Sequence, residues 1–186
     1  MKATLHWAGI AVGVVAGLLI LGILVLYSAG RMRLNKKYEV PPEMIAIPND
    51  AESLNEGKRI FQYRGCEACH GEQLQGLIYL DNPAIGQVIT PNLTSGQGGI
   101  GAQRTDKDLI RAIKHGIRPD GTPLLFMPST EFYFLSNTDL GKVLAYIRKV
   151  PPVKNEMQPS KLSFSGFAVM NVMKDITFLP AELIPH

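Results

Sequence analysis

The chain has 186 residues, 46% of them hydrophobic, with 18 glycines, 13 prolines and a formal net charge of +3. The basic excess is local: Lys2, Arg31, Arg33, Lys36 and Lys37 all precede the first acid, Glu39, and from Tyr38 onward 14 basic residues meet 16 acidic ones. Such a collar beside an apolar segment is no footprint for nucleic acid and suits lipid headgroups instead, and two cysteines three positions apart exclude a disulfide framework.

No residue between Trp7 and Gly30 is charged, and these 24 residues exceed the roughly 20 that a helix needs to cross a bilayer. Trp7 and Tyr27 stand near the ends, where amphipathic rings favour the interface. A cleaved signal peptide would carry a shorter apolar run and a better cleavage site than Ser28-Ala29-Gly30. The expectation is an uncleaved single-pass anchor over residues 1–30, in contact with the bilayer through 7–30. The positive-inside tendency would place the following domain in the cytoplasm. The cysteine pair argues the reverse, because covalent cofactor attachment through it resembles a process done outside the cytoplasmic membrane, and this is preferred over a statistical charge bias.

Residues 31–49 mix charges with three prolines and show no helical period, which predicts an extended linker. Asn49 or Asp50 then caps a helix of about fourteen residues, with Leu54, Gly57, Ile60 and Phe61 on one face and Gly65 as its stop. Residues 71–104 are rich in Gly, Asn and Pro without a sustained period. A loop that long in a small domain is usually functional or wraps something. Thr105 and Asp108 spell a capping box for a helix carrying Leu109, Ile110 and Ile113, with Gly116 at its end. Pro119-Asp120-Gly121 is a turn signal. Ser136 or Asn137 caps a last helix with Leu140, Val143, Leu144 and Ile147 as its apolar stripe, stopping before Pro151. No stretch alternates as a sheet would. The expected fold class is all-α, three to four short helices joined by long loops over residues 50–155.

The chemistry concentrates in Cys66-Glu67-Ala68-Cys69-His70. Two thiols at this spacing can each add to a vinyl group of one haem, and the next histidine then supplies an axial ligand to the iron. A structural zinc site would need four ligands, and there is no further cysteine and only His6, His115 and His186 besides His70. A thioredoxin-like dithiol would need a strand before the motif, where a helix is predicted. The expectation is one covalent haem c on Cys66 and Cys69, with His70 as proximal ligand.

The second ligand must come from Met44, Met127, Met157, Met170, Met173 or His115. Met127 is the choice, because Pro128 restrains its backbone and its loop lies between two predicted helices. His115, beside Gly116, is expected at the surface or in a cap. Histidine with methionine fills both axial positions and raises the potential, so electron transfer becomes the default and no small-molecule substrate is expected at the iron.

Gly57 through Phe61, the pentad, Met127-Pro128 and Leu140 through Val150 resemble a class I cytochrome c domain. That resemblance implies crossing first and last helices, with Gly57 and Phe61 meeting Tyr146. Thr90-Pro91-Asn92-Leu93-Thr94, Gly99-Ile100-Gly101 and Gly121 are similar to the cytochrome subunits of membrane-bound alcohol and aldehyde dehydrogenases. Those carry several pentads and this chain one, so a mono-haem subunit of alternative complex III fits as well. The resemblance implies that the loop holding Asn92 and Ile100 passes beside the haem and its propionates. It is bacterial, which makes the glycosylation triplet Asn92-Leu93-Thr94 a coincidence.

Residues 156–186 form an apolar extension with Phe164, Phe167, Met170, Ile176 and Phe178, too short for a second span and charged at Lys174 and Asp175. Two readings stand: a strap over the domain, or a surface docked on a partner subunit. The expected function is single-electron transfer on the periplasmic side of the cell membrane, in a respiratory or photosynthetic complex, with redox proteins as partners. The chain is then not an enzyme on its own. A free-standing anchored shuttle, and a haem enzyme or gas sensor with an open iron site, are the alternatives.

Overall fold

The computed structural model describes residues 2–173 and 177–185. Lys174, Asp175, Ile176 and His186, which figure in the reading of the extension and of the histidines, lie outside the described residues.

The first helix, α1 (Lys2–Leu34), is continuous and apolar, with Arg31 and Arg33 in its last turn. Its side chains from His6 to Val25 are exposed. It is long and apolar enough to cross a membrane. Helix α2 (Ala51–Tyr63) begins at Asp50, whose carboxylate accepts from the Ser53 N–H at 2.8 Å. Helix α3 (Cys66–His70) is one short turn behind Gly65. Helix α4 (Asp106–His115) starts with the expected capping box of Thr105 and Asp108 and ends at left-handed Gly116. A short α5 (Ser129–Phe132) precedes α6 (Asn137–Lys149), capped by Ser136.

The core sits where α2 and α6 cross. Ile60, Phe61, Leu109, Ile110, Leu140, Leu144 and Ile147 are buried together there, and Cys66 borders them. Gly57 permits the crossing: a Cβ on it would lie 2.0 Å from the Lys142 carbonyl oxygen. Phe61 meets Tyr146 edge to face at 5.5 Å. Helices of the predicted period therefore find the contact that the glycine and aromatic foretell.

The all-α expectation needs correction. Strands β1 (Ile78–Asn82), β2 (Gly86–Ile89) and β3 (Lys161–Leu162) form a small antiparallel sheet in the order β1-β2-β3. Two of them lie in the stretch expected to be loop. They are too short to show a period, and their edge partner arrives from the extension, far along the chain. Burial follows the sheet only at Val88, so no alternation reached the sequence.

The linker also differs from the expectation. Its first residues, through Leu34, continue α1. The remainder is irregular but pinned. The Tyr38 N–H donates to the Gly121 carbonyl at 3.0 Å, Ile45 and Ile47 pack on the main core, and Lys114 donates to Glu43 at 2.7 Å. The extension holds a further helix, α7 (Phe164–Val172), and a 3-10 turn (Pro180–Glu182). Helix α7 packs against α1: Tyr27 stacks on Phe164 at 4.8 Å, and Arg33 forms a two-pronged ion pair with Glu182 at 2.9 and 2.6 Å.

Gly57→Ala forces backbone apart at the helix crossing. It should cost about 1–3 kcal/mol, seen as a lower guanidinium midpoint in far-UV circular dichroism of the full-length protein in detergent. An unchanged midpoint would show that the helices separate freely.

Hydrogen bonding from Lys114 holds the Glu43 carboxyl below the usual carboxylate range. Its contribution is complete above the unfolded value of about 4.3 and is lost as pH falls through the lower folded value. The stability advantage of wild type over Glu43→Gln should therefore narrow between about pH 5 and pH 3. A gap independent of pH would mean that Glu43 acts by packing alone.

Candidate haem site

The site begins with the short helix that brings both thiols and the imidazole to one place. Cys66 and Cys69 are unpaired with each other and half-buried. Burial pushes the Cys66 thiol up to about 11 and raises that of Cys69. Neither thiol has the lowered pKa that marks a reactive dithiol.

His70 closes α3 and is half-buried. Its Nδ1 lies 3.2 Å from the Pro91 carbonyl oxygen. A carbonyl can only accept, so Nδ1 carries the proton and Nε2 keeps its lone pair. Burial lowers the pKa of the ring, with the Pro91 carbonyl acting the other way. A neutral imidazole with an unprotonated Nε2, oriented from behind by a carbonyl, is what an axial ligand requires. Together with two thiols three positions apart in the chain, this donor set fits a covalent haem.

The loop after the pentad is tied tightly to it. The Thr90 hydroxyl donates to the Cys69 carbonyl at 2.6 Å and accepts from the Leu77 N–H at 3.0 Å. The Gly76 N–H donates to the His70 carbonyl at 2.8 Å. Gly76 has φ +76, and a Cβ there would meet the Thr90 carbonyl at 2.6 Å, so only glycine lets the turn close on the Thr90-Pro91 segment. Sequence reasoning used Thr90 and Pro91 as marks of resemblance and gave them no role. A single sequence carries no signal for a carbonyl 21 residues from the histidine it orients.

Asn92 is wholly buried. Its amide donates to the Val153 carbonyl at 2.8 Å and the Asn155 carbonyl at 3.3 Å, and its side-chain oxygen accepts from the N–H and hydroxyl of Thr94 at 2.9 and 2.8 Å. The Ile100 N–H donates to the Asn92 backbone carbonyl at 2.8 Å, which brings these two predicted residues together. The side chain of Asn92 thus clamps the loop to the chain after α6. Arg148 of α6 supports the same loop by donating to the carbonyls of Gly101 and Arg104 and to Asp106.

Met127 lies in a different segment, half-buried between Phe126 and Pro128. Phe126 has φ +58, a costly conformation for a bulky residue. It is held there by donation of its N–H to the Phe178 carbonyl at 3.0 Å. On the other side, the Ser129 hydroxyl donates to the Ala112 carbonyl at 3.0 Å and fixes the segment to α4. The other methionines stand elsewhere. Met44 is 82% exposed, Met170 is buried against α1 and the extension, Met173 follows α7 and is 44% exposed, and the Met157 sulfur accepts from the Asn155 amide at 3.1 Å. His115, expected at the surface, is buried, with Nε2 3.4 Å from Glu43 and its ring against Tyr133. Burial follows because the pinned linker covers the end of α4.

Residues 54–151, the stretch that carries this geometry, match the Cytochrome c family. The chain belongs to the cytochrome c family. Membership implies covalent haem c. This cytochrome is similar to the fructose dehydrogenase cytochrome subunit of Gluconobacter japonicus, 32% identical over 132 residues, which cover 67% of this chain and 27% of that protein. It is also similar to the alcohol dehydrogenase (quinone) cytochrome c subunits of Gluconacetobacter polyoxogenes, 31% identical over 63% of this chain and 26% of the relative, and Gluconobacter oxydans (strain 621H), 30% identical over 62% and 25%. The matches thus span about a quarter of the length of these relatives.

Asn92→Ala takes from the Val153 carbonyl its shorter hydrogen bond, leaving the Thr94 hydroxyl at 3.3 Å, and takes from the Thr94 N–H its acceptor. It should cost about 2–4 kcal/mol in denaturant midpoint while the folded protein keeps the wild-type haem absorption. An altered spectrum without loss of stability would assign Asn92 to the haem directly.

Proposed function

We propose that the chain is a membrane-anchored, single-haem electron carrier that works as the electron-transfer subunit of a larger oxidoreductase, outside the cytoplasmic membrane. Residues 1–30 are the anchor, 31–49 the connection, 50–155 the cytochrome domain, and 156–186 an extension that joins the two. Cys66 and Cys69 hold the haem by thioether bonds, His70 is the proximal ligand and Met127 the distal one. The haem supplies a one-electron Fe(III)/Fe(II) couple. The observation that carries the reading is the pairing of His70 Nδ1 with the Pro91 carbonyl, beside the free Cys66 and Cys69.

The residues of the chain divide the work. Pro91 and Thr90 orient the imidazole and the helix end that bears it. Met127, fixed through Phe126 and Ser129, would supply the second iron ligand and so would keep small molecules from the metal. Its thioether favours the reduced state and sets a raised potential. The relatives' names, cytochrome subunits of fructose and alcohol dehydrogenases, support a role in passing on electrons that another subunit extracts.

A permanent subunit is favoured over a free shuttle by the pinned connection. A haem domain joined to its anchor through Tyr38, Glu43 and α7 has little freedom to swing between partners. Gentle solubilisation should therefore leave the haem band comigrating with larger subunits, and a band running alone would favour the shuttle.

Met127→Leu should abolish the weak far-red ferric band of the sulfur–iron bond. It should also lower the reduction potential by on the order of 0.1–0.3 V, within the roughly 0.8 V that axial ligands command. Unchanged band and potential in Met127→Leu would remove this residue from the iron.

A further inference from the structure

We infer that α7 lies in the membrane–water interface beside the anchor, with Phe164, Val172 and Met173 in contact with lipid. This rests on the reading of α1 as a transmembrane helix. Counting from Trp7 to Tyr27, α1 rises about 30 Å, the thickness of a hydrocarbon core. Tyr27 then marks the outer edge of that core, and Arg31 and Arg33 stand at the level of the headgroups.

Helix α7 meets α1 at that edge. Phe164 in its first turn stacks on Tyr27, and Asn171 in its last donates to the Leu26 carbonyl at 2.8 Å and accepts from Arg33 at 3.0 Å. With Arg31 over the Phe167 ring, these contacts place α7 against the last two turns of α1, from the level of Tyr27 to that of the headgroups. Gly30 allows the approach, since a Cβ there would come within 2.7 Å of the Phe167 carbonyl.

The composition of α7 suits this position and no aqueous one. No residue from Phe164 to Val172 is charged. Gly166, Phe167 and Met170 are buried, and on the other sides Phe164 is 50% exposed, Val172 66% and Met173 44%. Ser165 and Asn171 are the polar exceptions in α7, and its exposed Phe164, Val172 and Met173 need a second apolar environment. The lipid that surrounds the exposed residues of α1 continues onto it. Its polar groups are provided for: the Met170 carbonyl accepts from Arg33 at 2.8 Å, and the guanidinium of Arg31 lies over the Phe167 ring at 5.7 Å, on the headgroup side.

The consequence reaches the haem site. Phe126, the neighbour of Met127, packs in the same cluster as Phe167, Met170 and Tyr27. Seating α7 in the interface fixes the height of the distal ligand above the bilayer.

The test uses the full-length holoprotein in lipid nanodiscs. With Cys66 and Cys69 consumed by thioether bonds, one introduced cysteine is the sole site for a nitroxide label. Four variants suffice: Phe164→Cys and Val172→Cys on α7, Val15→Cys within the anchor, and Phe134→Cys, where the side chain is 83% exposed outside α1 and α7. Labels at 164 and 172 should relax with oxygen several-fold more than with a water-soluble nickel chelate, between the values at 15 and 134. Chelate access equal to that at 134 would overturn the proposal, as would shielding from both reagents, which means cover by protein. A chelate-accessible label at 15 would instead refute the anchor itself.

Discussion

The donation of His70 Nδ1–H to the Pro91 carbonyl ties the end of a five-residue helix to a loop 21 residues downstream. A helix so short has no stability of its own. Its position comes from α2 on one side and from this loop on the other. The loop is in turn set by the buried side chain of Asn92, clamped to Val153 and Asn155 beyond α6. The first and last helices of the domain thus converge on one imidazole, and both its tautomer and its free nitrogen follow from that convergence.

The same economy governs the attachment of the domain to α1. Two apolar clusters share the work. One surrounds the crossing of α2 and α6 and borders Cys66; the other joins Tyr27 and Leu34 of α1 to Phe126 and the extension. Each cluster touches one side of the proposed haem site, the first through the thiol that would bear the haem and the second through the neighbour of Met127. For the proposed electron carrier this arrangement would hold constant a distance on which transfer depends steeply.

How much of this was legible in the sequence follows from the range of the interactions. Caps and periods are local, so Asp50, the Thr105–Asp108 box and Ser136 marked three helices correctly, and Gly57, Phe61 and Tyr146 marked their crossing. The pentad names its own chemistry because the spacing of its thiols is itself the signal. What stayed hidden was non-local. The sheet draws β3 from the extension, with strands of two to five residues that show no period. His115 looked like a surface residue until Glu43 of the connection covered it. Pro91 and Thr90 act through a carbonyl and a hydroxyl whose partners no local pattern names.

The central claim is that Cys66 and Cys69 are both joined to one haem whose iron His70 binds. Intact mass and thiol titration of the purified chain, fully denatured, measure this most directly. The account predicts a mass raised by a single haem, a porphyrin absorption that survives denaturation, and no reactive thiol. An unmodified mass with two reactive thiols would contradict it.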